Sequence, residues 1–220
     1  MNNLVEAIQA EVQETIDTGL ALDGTIQKVT SLVGFRDPYT ADHQHRVGIM
    51  AGFIGKEIGL TDWQAKGIYI TGLLHDVGKA AVPMEILNKP DKLTDEEFTV
   101  IKNHSQLGSD LLKDIEFPWR VTEAILQHHE RLDGSGYPRR LSGEQIILEA
   151  RILGVADVVD AMCYARPYRS ALGLDAAMDE IKSKRGIVFD ARIVDAYLKL
   201  MGYPVPESKE KLPTVTTSAV

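Results

Sequence analysis

An ionisable pair, His75-Asp76, stands inside an otherwise apolar run, with Ile70-Thr71-Gly72-Leu73-Leu74 before it and Val77-Gly78 after it. Such a run becomes the inside of a fold. Taking two ionisable groups there costs several kcal/mol unless something compensates them, and a metal ion is one such partner. The same problem recurs elsewhere in the chain. Asp157 and Asp160 follow the apolar run Ile152-Leu153-Gly154-Val155-Ala156, and their spacing puts both on one face of a helix. His128-His129 is a second doublet, and His104 lies in a further helical stretch. Adjacent helix residues diverge by roughly 100°. A doublet can therefore face two ions at once, with the two oxygens of Asp76 as a bridge. The fold has to bring these segments together around one compensated polar centre.

The rest of the pattern is helical. Leu4, Val5, Ile8, Val12 and Ile16 recur at helical spacing, as do Leu22, Ile26, Val29 and Val33. These two stretches read as a lead-in hairpin, a dimerisation element or simply a cover for the core. A helix is expected from Pro38 to about Ile58. Thr61–Gln64 and Thr94–Glu97 have the form of capping boxes, opening helices towards Gly78 and Asn103. Pro118 opens a helix expected to run through His129. Asp133-Gly134-Ser135-Gly136-Tyr137-Pro138 is a loop. Further helices are expected over Leu148–Tyr164, Asp175–Lys184 and Ala191–Met201. No segment alternates as a strand does. The class is all-α, a single bundle of seven or more helices. The division expected is an N-terminal helical extension over 1–24, a catalytic domain over 25–203 and a mobile tail over 204–220, polar and with three prolines.

With 220 residues, 44% of them hydrophobic and 25% charged, the chain can bury a sizeable core. A net charge of −8 argues against DNA or RNA as a partner, since that usually needs a basic stripe. Metal ions and a few Arg or Lys can still reverse the field locally for a phosphate ester. Cys163 is the single cysteine, so neither an internal disulfide nor a zinc-thiolate set is available. The acidic, amphipathic N-terminus lacks the form of a signal peptide. No stretch approaches the roughly 18 apolar residues of a membrane span. The expected location is the cytoplasm. Histidine and carboxylate without thiolate form a mixed nitrogen and oxygen site that suits iron, manganese or nickel better than a closed structural zinc site. The competing reading is a set of buried, mutually satisfied core groups.

Taken together, these residues resemble a known family. His75-Asp76 with Lys79 resembles the signature of the HD phosphohydrolase superfamily. The stretch His128-His129-Glu130-Arg131-Leu132-Asp133-Gly134-Ser135-Gly136-Tyr137-Pro138 resembles the extended motif of its HD-GYP branch. The resemblance continues through Glu149–Leu153, Asp157–Ala161 and Arg166-Pro167-Tyr168-Arg169, and covers roughly residues 25 to 203. It implies a cyclic di-GMP phosphodiesterase whose first metal is held by His43, His75, Asp76 and Asp157. The second would be held by His104, His128 and His129, with Asp76 bridging. Iron or manganese is expected first, with nickel, magnesium or zinc as alternatives. His45, two residues beyond His43, falls at no ligand position and reads as surface. Some members hold a third metal through a glutamate where this chain has Tyr39, a protonated phenol at neutral pH. The expectation is therefore two metals. Arg140 stands where many members have glycine.

In the mechanism implied, a hydroxide shared by two ions attacks phosphorus in line with the departing 3′ oxygen. The products would be linear pGpG, GMP or both. Asp76 and Lys79 are the catalytic candidates. Lys79 either contacts phosphate and assists proton transfer or pairs with Asp76 or Asp160. Lys79, Tyr137, Asp160, Arg166 and Arg169 are the candidate substrate contacts. Tyr137 packs either under a guanine or within its own loop. Three rival functions stay open: cyclic GMP-AMP as substrate, another nucleotide, and a non-catalytic sensor or scaffold. A homodimer through the N-terminal helices and a regulatory or GGDEF-type partner at the GYP loop are the protein contacts considered.

Overall fold

The computed structural model describes residue 26 and residues 38–89, 91–164 and 171–206. The expected extension over 1–24, most of the second lead-in stretch, the tail beyond Pro206, and Arg166 and Arg169 lie outside the described residues. So does the side chain of Tyr39.

Among the described residues nine α-helices follow in chain order: α1 (Pro38–Glu57), α2 (Asp62–Leu74), α3 (Met84–Leu87), α4 (Asp95–Lys102), α5 (His104–Leu112), α6 (Val121–Gln127), α7 (Leu148–Cys163), α8 (Leu174–Ser183) and α9 (Ala191–Leu200). Short 3-10 helices occupy Val77–Ala81 and Gly143–Gln145. Among the described residues the extended pairings are two isolated bridges, Asp133 with Ser142 and Arg185 with Phe189. The all-α expectation holds. No described helix is long and apolar enough to cross a membrane.

The capping residues act as their sequence suggests. The Thr61 hydroxyl accepts from Gln64 N while the Gln64 amide oxygen accepts from Thr61 N, and Thr94 and Glu97 repeat the arrangement at α4. α1 stops where Gly59 takes a φ of 92°. Gly59 N then donates to Lys56 O and Leu60 N to Gly55 O, which satisfies two of the last carbonyls of α1. The short turn sends α2 back along α1. A Cβ on Gly72 would stand 2.5 Å from the Cα of Gly48, so the two backbones touch there. That contact draws His43, near the start of α1, towards His75 at the end of α2.

Two apolar clusters form the core. One gathers Val47, Ala51 and Ile54 of α1 with the inner faces of α7, α8 and α9. The other gathers Ile70, Leu73 and Leu74 of α2 with Leu112, Val121, Ile125 and Ile26. Burying each Ile or Leu is worth about 1.5–3 kcal/mol. This packing on two sides offsets the cost of the polar centre described next.

Two helices are shorter than expected. α2 ends at Leu74, not near Gly78, and α6 runs from Val121 to Gln127, not from Pro118 through His129. At the start of α6, Trp119 instead lies across Gly67 and donates its indole N–H to Trp63 O at 3.0 Å. That tertiary contact is absent from the helical pattern. The two early stops bear directly on the candidate metal ligands.

Candidate metal centre

Both doublets sit at helix ends. His75 is the C-cap of α2 and His128 the C-cap of α6. His104 opens α5 just after α4 closes. The last carbonyls of a helix have no intrahelical donor, and these histidines use them. His75 donates Nδ1–H to Gly72 O at 2.7 Å, His104 to Ile101 O at 2.8 Å and His128 to Ile125 O at 2.6 Å. A carbonyl can only accept, so the ring proton is on Nδ1 in all three. The Nε2 lone pair is left bare. His43 reaches the same state by another route, donating Nδ1–H to Asp160 Oδ2 at 2.6 Å. Such outer contacts fix the tautomer and the ring direction of a metal-binding imidazole.

The bare nitrogens converge. Ligand atoms of His43, His75 and Asp157 lie within 4.8 Å of one another, as do those of His104, His128 and His129. Asp76 stands between the two groups. Its Oδ2 is 3.6 Å from His43 Nε2 and 3.5 Å from His75 Nε2, while its Oδ1 is 3.3 Å from His104 Nε2. Asp157 offers Oδ1 to His43 Nε2 at 3.2 Å and Oδ2 to His129 Nδ1 at 3.8 Å. All these side chains are buried except His129, which is partly so.

Whether cations fit here is decided by the unmet lone pairs. His43 Nε2 and His75 Nε2 are buried without a hydrogen-bond partner. His104 Nε2 and His128 Nε2 face each other at 3.3 Å, although each ring has already committed its proton to a carbonyl. Two lone pairs that close repel unless a proton or a cation lies between them. A proton is not at hand, because burial pushes the pKa of His104 down to about 4 and that of His128 well below 6.5. Burial also lowers His75 and His129. Burial would raise Asp76, but Lys79 and the surrounding histidines hold it well below the usual carboxylate range. At neutral pH most of the rings are thus neutral and the carboxylates charged, the protonation state that a divalent cation requires. These residues fit metal.

A pH dependence follows for the metal-free protein. His75, His104, His128 and His129 titrate lower in the fold than the usual 6.5. Their contribution to stability is complete above 6.5 and is lost as pH falls through their folded values, about 4 for His104. His43 works the other way. Burial opposes its charge, but Asp157 and Asp160 outweigh that and raise its pKa, so its contribution fades as pH rises. With four rings against one, the melting temperature of chelator-treated protein should fall steadily between pH 6.5 and 4. A flat profile by circular dichroism would contradict the burial of neutral rings.

Comparison with known proteins gives this centre a context. Residues 29–193 match the family model described as HD domain. The chain belongs to the HD domain family. It is 42% identical over 177 residues to the cyclic di-GMP phosphodiesterase response regulator RpfG of Xanthomonas campestris, covering 80% of this chain and 47% of the relative. It is 40% identical over 151 residues to the 3'3'-cGAMP-specific phosphodiesterase 1 of Vibrio cholerae, covering 69% of this chain and 35% of that protein. The chain thus spans less than half the length of either relative. In fold it is similar to an HDG"Y"P protein from Bdellovibrio bacteriovorus, with a TM-score of 0.63 at 16% identity over 90% of this chain and 70% of that one.

Within this HD domain the other candidate residues take definite places. Lys79, for which the sequence leaves two roles open, lies with Nζ 2.6 Å from Asp76 Oδ2. The chain has left the α-helix by then. In a 3-10 helix residues i and i+3 eclipse, so Lys79 stacks over Asp76 and not on a helix face shared with His75. Asp160, read from the sequence as a substrate contact, is 1% exposed and has both oxygens taken up by His43 and Arg46. His45 is exposed on the far side of α1.

Tyr137 packs against His129, ring centroids 4.6 Å apart. Its loop is clasped to the histidine doublet by contacts that sequence reasoning missed. The buried Glu130 carboxylate accepts from Arg139 N at 2.7 Å and Leu141 N at 3.0 Å. A Cβ on Gly136 would fall 2.4 Å from Glu130 Cα and 2.5 Å from His129 O, so only glycine closes the loop this tightly. Arg140 is exposed with a φ of 53°, a left-handed conformation that costs glycine nothing. The available signal was the acidic residue directly after His128-His129.

Proposed function

We propose that the protein is a metal-dependent phosphodiesterase that hydrolyses a cyclic dinucleotide, cyclic di-GMP, to linear pGpG, GMP or both. The observation that carries this is the Asp76 carboxylate set between two groups of inward-facing histidine nitrogens, one oxygen towards each. His43, His75, Asp76 and Asp157 would hold one divalent ion and His104, His128 and His129 a second. Iron or manganese suits the donor set first, and nickel, magnesium or zinc are alternatives. When bound, such ions supply Lewis acidity and lower the pKa of water.

The chain's own residues do the rest. The helix-end carbonyls and Asp160 keep the imidazoles in one tautomer. Lys79 Nζ, already beside Asp76, is the group placed to hold a proton for the departing 3′ oxygen or to meet a phosphate oxygen. Tyr137 walls the site beside His129, and Arg166 and Arg169 supply guanidinium forks for phosphate. In a chain of net charge −8, these cations and the ions make the anion-binding field. The same reading places the protein in the cytoplasm, with a homodimer through its N-terminal stretches and a GGDEF-type partner at the exposed edge of the 134–138 loop.

The relative named for 3'3'-cGAMP makes cyclic GMP-AMP the second substrate to weigh. One experiment separates the readings. Protein purified anaerobically is assayed for metal, then given cyclic di-GMP, cyclic GMP-AMP and cyclic di-AMP, and the products are chromatographed. Two equivalents of metal and a linear product from cyclic di-GMP are expected. Faster loss of cyclic GMP-AMP would reassign the substrate. Full metal with no product from any of the three would favour a sensor.

A further inference from the structure

Arg46 was not among the residues that the sequence pointed to. It lies one helical turn beyond His43 on α1, and its side chain is 30% exposed. Its guanidinium grips Asp160 of α7 as a fork, Nε at 2.6 Å from Oδ1 and Nη2 at 3.0 Å from Oδ2. Tyr164, just past the end of α7, lies under the guanidinium with its centroid 3.7 Å from the Arg46 Cζ. Asp160 is 1% exposed and passes the contact inward, its Oδ2 taking the Nδ1–H of His43 at 2.6 Å. On the other side of that ring, Nε2 is buried and faces Asp157 Oδ1 at 3.2 Å and Asp76 Oδ2 at 3.6 Å.

The chain of contacts therefore runs from the rim to the metal centre: Tyr164, Arg46, Asp160, His43. We propose that Arg46 is the positioning residue for His43, acting through Asp160 and backed by Tyr164. This rests on reading His43 as a metal ligand. A carboxylate that orients a ligand histidine must itself be held, and here one oxygen has Arg46 alone while the other is shared between Arg46 and His43. Without the fork, Asp160 is free to turn about its own side-chain bonds, and the ring it aims turns with it. A planar fork fixes both oxygens at once, which a lysine ammonium does not. Burial works against charge on Asp160, but the hydrogen bonds from His43 and Arg46 outweigh it and keep the carboxylate ionised.

The test is metal affinity, read by competition between the purified protein and a chelator for Co2+, with the visible cobalt bands reporting the ligand sphere. Arg46→Met should weaken one of the two bound equivalents roughly 10- to 100-fold, as outer contacts to ligand histidines do. Arg46→Lys should fall between the variant and the parent. Arg185→Met, which removes a similar fork to Asp195 elsewhere, should leave both equivalents unchanged. In a His43→Ala background, Arg46→Met should cause no further loss. The proposal is overturned if Arg46→Met and Arg46→Lys bind cobalt as the parent does while His43→Ala loses an equivalent. It is also overturned if Arg46→Met weakens binding equally with and without His43, since the fork would then be general scaffold. A His43→Ala protein that keeps both equivalents would instead remove the ligand reading beneath it. Melting curves decide whether each variant is folded, and Arg46→Lys, which keeps the cation, serves if Arg46→Met is not.

Discussion

Asp76→Ala is expected to release the bound metal and to lower hydrolysis of cyclic di-GMP by about 1,000-fold or more, the scale on which lost electrostatic stabilisation of a transition state is felt. The reason is its position. Its two oxygens face opposite groups, His43 and His75 on one side and His104 on the other, at 3.3–3.6 Å, whereas Asp157 reaches the second group only at 3.8 Å from His129 Nδ1. On the proposed reading, removing it would take one ligand from each ion, and it leaves Lys79 without its partner at 2.6 Å. Two like-charged ions would then sit close together with less negative charge between them. Asp76→Asn keeps the shape and separates loss of charge from loss of packing. The control is His45→Ala, on the exposed side of the same helix as His43, which should keep full metal content. Metal is counted by mass spectrometry and turnover by chromatography. An unchanged rate after loss of both His75 and Asp76 would refute the mechanism, and metal loss in His45→Ala would move the first ligand from His43.

Gly78→Ala is expected to destabilise the fold by about 3 kcal/mol, the upper end of what overpacking costs. For a chain of this size that is a fall of roughly 10 °C in melting temperature. A methyl on Gly78 would stand 2.0 Å from His104 O and 2.5 Å from Gly108 N, both backbone atoms of α5 that cannot turn aside. Gly78 follows the His75-Asp76 doublet by two residues, and His104 begins α5. The two backbones touch where the two halves of the site meet. The variant should therefore lose metal affinity as well as stability, and the loss should persist at temperatures where the variant is still folded. Differential scanning calorimetry and the chelator competition measure the two effects. A variant as stable as the parent would mean that the 3-10 segment and α5 do not cross at this distance.

The helices themselves were legible because their signals are local. A hydroxyl at the N-cap and an amide or carboxyl three residues on determine where α2 and α4 begin, whatever the rest of the chain does. That histidines and carboxylates gather in one buried centre was legible for a different reason. An ionisable pair within an apolar run has few physical explanations, and the resemblance carried over the remaining positions one by one. The early ends of α2 and α6 were not legible. An apolar pattern runs on through Val77, but the chain leaves the helix to let histidine rings take the last carbonyls, and that exchange depends on what the rings face. Asp160 was placed on the right helix face and given the wrong neighbour, since nothing in the spacing shows that Arg46 reaches it from α1.

The sequence by itself determined that this chain is helical and that its polar groups had to be compensated inside. Those properties follow from spacing and from the cost of burying charge, both of which act over a few residues. Only the tertiary structure decided which oxygen of Asp76 faces which histidine, which carboxylate aims His43, and where glycine lets two backbones touch. Those are distances between segments many residues apart, fixed by how two apolar clusters pack, and packing is a property of the whole chain.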